Sequence, residues 1–116
     1  MRPPRTVYSV VFRNHTSDDV IVFVTYKSVS GLKTRTRVRV PANGSATAEE
    51  RTYTLGTATL VMEIANIKLR PPGPLQRRVG ASKLKAPFPG VEGPTKEYNV
   101  DIVGSGPDRR FTINPA

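Results

Sequence analysis

Apolar and polar positions alternate with a period of two along most of this chain, the pattern of strands that turn one face inward. Over residues 6–13 the alternation puts Tyr8, Val10 and Phe12 on one side, and over 20–27 it does the same with Val20, Val22, Val24 and Tyr26. Between them lies Asn14-His15-Thr16-Ser17-Asp18-Asp19, whose short side chains hydrogen-bond local backbone, so the two strands are expected to form a hairpin. Residues 33–40 alternate strictly: Thr34, Thr36, Val38 and Val40 share one face and Lys33, Arg35, Arg37 and Arg39 the other. Pro41-Ala42-Asn43-Gly44 ends that strand. Residues 45–55 read as a more polar strand closed by Gly56, and residues 57–67 as the clearest core strand, with Ala58, Leu60, Met62 and Ile64 facing in.

After Arg70 the alternation stops, through Pro71-Pro72-Gly73-Pro74, Pro87-Phe88-Pro89-Gly90 and Gly93-Pro94, because proline at this density enters neither a helix interior nor a central strand. Strands resume at 96–103, with Tyr98, Val100 and Ile102 inward, and at 109–114, with Phe111 and Ile113 inward. Short strands with turn signals between them and no helical period predict an all-β domain: a small antiparallel β-sandwich of about seven strands, immunoglobulin-like or transthyretin-like. One long Pro/Gly-rich basic loop, residues 68–95, would project from it, and a basic arm, residues 1–5, would precede it. The alternative is a small closed barrel of the oligonucleotide-binding type, which needs five longer, curved strands. Residues 1–116 are expected to be a single domain, since one core is what a chain of this length builds.

The run Val10-Val11-Phe12-Arg13-Asn14-His15-Thr16, followed by a Val-rich strand, then Val40-Pro41-Ala42-Asn43-Gly44-Ser45 and Tyr53-Thr54-Leu55-Gly56-Thr57-Ala58-Thr59-Leu60, is similar in rhythm to the β-domain of the von Hippel-Lindau protein and other transthyretin-like sandwiches. The resemblance covers about half the chain. It implies the sandwich fold and carries over no functional residue.

Composition removes whole classes of chemistry. With no cysteine there is no disulfide framework, thiolate metal site or Cys nucleophile, and a single histidine leaves ordinary imidazole metal sites out of reach. No cofactor is expected. Met1-Arg2-Pro3-Pro4-Arg5 leads into an alternating strand rather than the apolar run of a signal peptide, and no stretch approaches the roughly 18 apolar residues of a membrane span, so the expectation is a cytoplasmic or nuclear protein.

His15 with Asp18 and Asp19 could be drawn as a base with its orienter, but the chain has no nucleophile elbow and no glycine-rich phosphate cradle. Asp18, Asp19, Asp101 and Asp108 sit in or near inter-strand loops, where turn chemistry accounts for them as readily as a calcium site. Asn14-His15-Thr16 and Asn43-Gly44-Ser45 match the N-glycosylation sequon and read as turns. A carboxylate pair drawn from Glu49, Glu50 and Glu63 is the remaining route to an enzyme. The expectation is a protein that is not an enzyme.

The net charge of +9 points to an acidic partner. Arg outnumbers Lys about two to one amid plentiful Gly and Pro, a composition that a GC-rich genome also produces. Two clusters concentrate the charge. One is the row Lys33, Arg35, Arg37 and Arg39, which could equally be an edge strand kept from aggregating by its charges. The other is Lys68, Arg70, Arg77, Arg78, Lys83 and Lys85, in a stretch without an acid. Binding residues favour loops on rigid scaffolds, so the loop is expected to contribute more than the sheet face. The chain thus reads as a non-catalytic binding or scaffold module whose partner is an acidic protein surface. The alternative is RNA or single-stranded nucleic acid, weakened by the lack of Trp and of outward rings beyond Phe23, Tyr53 and Phe88. An anionic membrane surface would use the same cations.

Overall fold

The computed structural model describes residues 6–28, 31–70, 83–86, 88, 91, 97–105 and 109–113, and every regular element among them is a strand. In chain order these are β1 (Val10–Asn14), β2 (Val20–Lys27), β3 (Lys33–Val40), β4 (Ser45–Ala48), β5 (Thr52–Leu55), β6 (Ala58–Val61), β7 (Glu63–Leu69), β8 (Lys83–Lys85), β9 (Tyr98–Val103) and β10 (Arg110–Thr112). They form a sheet in the order β10-β9-β1-β4, a second in the order β3-β2-β7-β8, and a separate β5-β6 ribbon. Neighbours are antiparallel except β1 and β9, which run parallel.

Alternation is why these segments are strands, and burial follows it. Phe12, Val100 and Ile102 of one sheet and Val22, Val24 and Ile67 of the other are 0 or 1 % exposed and belong to one apolar cluster. Each such side chain contributes about 1.5–3 kcal/mol when withdrawn from water. Residues 6–9 tie the sheets together: Ile64 N–H donates to Val7 O at 2.7 Å, and Tyr98 N–H donates to Ser9 O at 2.9 Å. Changing partners between Val7 and Ser9 breaks the alternation, so Val7 and Ser9 are buried while Tyr8, expected inward, is half-buried.

The expected β1–β2 hairpin does not form. β1 lies between β9 and β4, and β2 between β3 and β7, in different sheets. The short polar side chains do bond local backbone, but in an arch and not a hairpin. Asn14 Nδ2 donates to Asp18 O at 2.8 Å and to Val40 O at 3.1 Å, while its Oδ1 accepts from Thr16 N–H at 2.9 Å and Thr16 Oγ1 at 2.6 Å. This knot arches the chain from one sheet into the other.

Residues 41–44 make a second arch, from β3 to β4. Gly44 N–H donates to Pro41 O at 3.0 Å, and Asn43 takes a left-handed φ of 55°. Asn tolerates that region and a β-branched residue does not. Asn43→Val is therefore expected to lower stability by about 1–2 kcal/mol, and Asn43→Gly to change it by a few tenths at most, as urea unfolding would show.

Three further expectations are corrected. Residues 45–55 and 57–67 each break in two, and the β5-β6 ribbon stands out from the sheets, leaving Ala58 exposed and Leu60 half-buried. β7 carries a bulge: Thr25 pairs with Asn66 but Tyr26 with Ile64, so Ala65 is the extra residue and the buried series runs Met62, Ile64, then Ile67, Leu69. Finally, the stretch from 68 is not one long loop, since Lys68 lies on β7 and Lys83–Lys85 forms β8, antiparallel to it.

Candidate functional site: a basic sheet face

Register turns two sequence clusters into one surface. Across β3-β2-β7-β8, Arg37 pairs with Phe23, Phe23 with Lys68, and Lys68 with Lys83. The next row is Arg35, Thr25, Asn66 and Lys85, and the one after it Lys33, Lys27 and Glu63. On the other side of the Arg37 row, Arg39 pairs with Ile21, whose carbonyl accepts from Arg70 N–H at 2.9 Å. Paired residues share a face, and Val22, Val24, Ile67 and Val40 occupy the opposite, buried one. The cations therefore stand together on the outer side.

Neighbouring strands lie about 4.8 Å apart and like-facing residues along a strand about 6–7 Å apart. Along β3 and between β7 and β8 these separations are below the Debye length of about 8 Å at physiological salt, whereas β2 sets the two groups about 10 Å apart, so the charges repel most within each group and the face as a whole favours an incoming anion. Two contacts modulate the field. The Arg35 guanidinium lies 4.6 Å from the centroid of the half-buried Phe23 ring and covers it. At the edge, Arg39 donates through Nε to Asp19 Oδ2 at 3.1 Å and also through its terminal nitrogen. The hydrogen bond from Arg39, aided by the Ala42 N–H, holds the Asp19 carboxyl below its ordinary pKa. Any stability this gives is present above the unfolded carboxylate pKa and lost as pH falls through the folded value.

Lys33, Arg35, Arg37, Arg39, Lys68, Lys83 and Lys85 thus lie on one face, with Arg70 at its border, whereas Arg77 and Arg78 fall outside the described residues. The expected division into a basic loop and a separate basic sheet face does not survive for Lys68, Lys83 and Lys85. Lys27 was missed as a member of the surface. Its parity with Phe23 and Thr25 was the available signal.

The other candidates resolve differently. His15 Nε2 lies 3.0 Å from Asp101 Oδ1, not against Asp18 or Asp19. Arg109 pairs with Asp18 at 3.1 Å and Arg39 with Asp19, so these acids face cations, and Asp108 lies outside the described residues. Among the described residues, no three His, Cys, Asp or Glu side chains come together in a way that could hold a metal ion. Glu49 and Glu50 line an open groove of about 540 Å³ between β3 and β4, together with Tyr26, Thr36, Val38 and Arg51. Glu63 sits on the basic face opposite Lys27. Tyr26 Oη donates to Glu49 O at 2.7 Å, and burial raises its phenol pKa above the ordinary value. Among the described residues, no helix is long and apolar enough to cross a membrane.

Comparison with protein-family models, with curated proteins and with solved structures finds no match to this chain.

Proposed function

We propose that this chain is a non-catalytic binding module, a β-sandwich whose outer β3-β2-β7-β8 face meets an acidic surface on another protein in the cytoplasm or nucleus. The observation that carries this reading is the register that sets Arg35, Arg37, Lys68, Lys83 and Lys85 on one face. An exposed sheet face of this kind suits a protein surface, where rim charges set encounter rate and partner choice. Single-stranded nucleic acid is the second reading, and the same cations favour it. Against it stands Phe23, the ring on that face, which is half-buried and covered by Arg35 and so offers no open platform for stacking a base.

A photo-crosslinking phenylalanine analogue in place of Thr25, at the centre of the face, tests this in the native cell. Crosslinks to acidic protein segments that persist after nuclease treatment are the expected result. Adducts to nucleic acid would overturn the protein reading in favour of the second.

A further inference from the structure

We propose that the outer edge of β3 receives an extended segment of the acidic partner as an added antiparallel strand, in which acidic residues alternate with small apolar ones. The inference rests on the acidic-partner reading and specifies the partner's chemistry. β3 is the terminal strand of its sheet among the described residues. Ser28 N–H donates to Leu32 O at 2.8 Å, which sets the phase of the β2–β3 ladder. Pairing alternates along an antiparallel ladder, so Thr34, Thr36, Val38 and Val40 direct their N–H and C=O groups to β2. Lys33, Arg35, Arg37 and Arg39 direct theirs away from it, and the Arg70–Ile21 bond on the far side of β2 agrees with this phase. The residues with outward backbone groups are therefore the cations.

Charge then selects the occupant. A second copy of β3 would set cations opposite cations, which disfavours self-pairing, as edge charges do in natural sheets. An acidic strand would place carboxylates opposite guanidiniums at hydrogen-bonded positions, with Cα atoms about 5.5 Å apart. The other face of the added strand would enter the groove between β3 and β4, beside Thr36 and Val38. Both are half-buried, whereas Val40 further along the same face is fully covered. Glu49 and Glu50 line the same groove and disfavour a further acid there, so uncharged small side chains are the ones the alternation would place on this face. Main-chain bonds would supply affinity and the alternation specificity, as in other strand-addition complexes.

The test is calorimetric titration of the full chain at low salt with three kinds of probe. The first is a peptide alternating glutamate and valine, and the second a block peptide of the same composition. The third is the alternating peptide N-methylated at either its glutamates or its valines. A glutamate opposite an arginine bonds to β3 through its own backbone N–H. Methylating the glutamates should therefore cost at least about tenfold in affinity and methylating the valines only about twofold, given roughly 1 kcal/mol per backbone bond lost. The alternating peptide should bind at least about tenfold tighter than the block peptide. Arg37→Pro, which removes one outward N–H without touching the β2 ladder, should weaken binding about fivefold or more beyond Arg37→Gln, which removes the charge alone. If alternating, block and methylated peptides bind alike, and all weaken when Arg35, Arg37, Lys68 and Lys83 become Gln, strand addition is overturned while the basic-face reading stands. If no peptide binds, both are overturned.

Discussion

Asn14→Ala is expected to lower the stability of this domain by about 3 kcal/mol, a large part of the 5–15 kcal/mol by which such domains are stable. Asn14 is 2 % exposed, and both amide hydrogens and both carbonyl lone pairs of its side chain are used. Alanine would leave Val40 O, Asp18 O and the Thr16 N–H and hydroxyl without that partner in a place where Thr16 is itself buried. Thr16→Val removes the bonds of Oγ1 to Asn14 Oδ1 and Asp18 O and is expected to cost less, about 1–2 kcal/mol. Asn14→Asp tests the donor half alone. It keeps the shape but sets a carboxylate oxygen against two carbonyl oxygens, so the acid's folded pKa should rise and stability should fall as pH rises through the carboxylate range. Urea unfolding of the three variants at acid and neutral pH checks the set. A loss below about 1 kcal/mol for Asn14→Ala would mean that the two sheets are joined without this knot.

The second large effect concerns binding. Converting Arg35, Arg37, Lys68 and Lys83 together to Gln is expected to weaken association with the proposed acidic partner roughly thirtyfold, or about 2 kcal/mol, since exposed ion pairs contribute about 0.2–1 kcal/mol each. Stability should barely change. Relief of like-charge repulsion across paired strands offsets the loss of the Arg35–Phe23 contact, itself worth about 0.5–1 kcal/mol. Affinity measured by fluorescence anisotropy beside thermal unfolding separates the two. A variant that binds as the parent does would remove the face from the account, and one that unfolds early would show the cations to be structural.

Much of this molecule was legible from alternation, because the period of two reports directly which side of a strand meets the core. It placed Val22, Val24, Val100 and Ile102 inside, and Lys33, Arg35, Arg37 and Arg39 in one row outside. What alternation does not carry is the identity of a strand's neighbours. The turn residues after β1 serve a hairpin and an arch between sheets equally well, and only the partners of β1, which are β9 and β4, distinguish the two. The bulge at Ala65 shifts the phase by one residue, which a strict two-residue reading cannot follow. β8 is three residues, Lys-Leu-Lys, too short to announce itself among prolines, and its pairing with β7 brings Lys83 beside Lys68. The cations of the candidate site were thus visible one by one. Their union into a single face was not, since register between distant segments is a property of the folded chain.

That union is the central claim, and one titration bears on it most directly: affinity for the whole acidic protein captured by crosslinking, which spans the face and not its edge alone, measured across a range of salt. The proteins compared are Arg35→Gln with Arg37→Gln on β3, Lys68→Gln with Lys83→Gln on β7 and β8, and a control, Arg13→Gln, on the exposed side of the other sheet. A single face predicts that the two pairs weaken binding by similar factors, about fivefold each, with equally shallower salt dependence, and that Arg13→Gln has little effect. Loss confined to one pair, or an equal loss from Arg13→Gln, would contradict it.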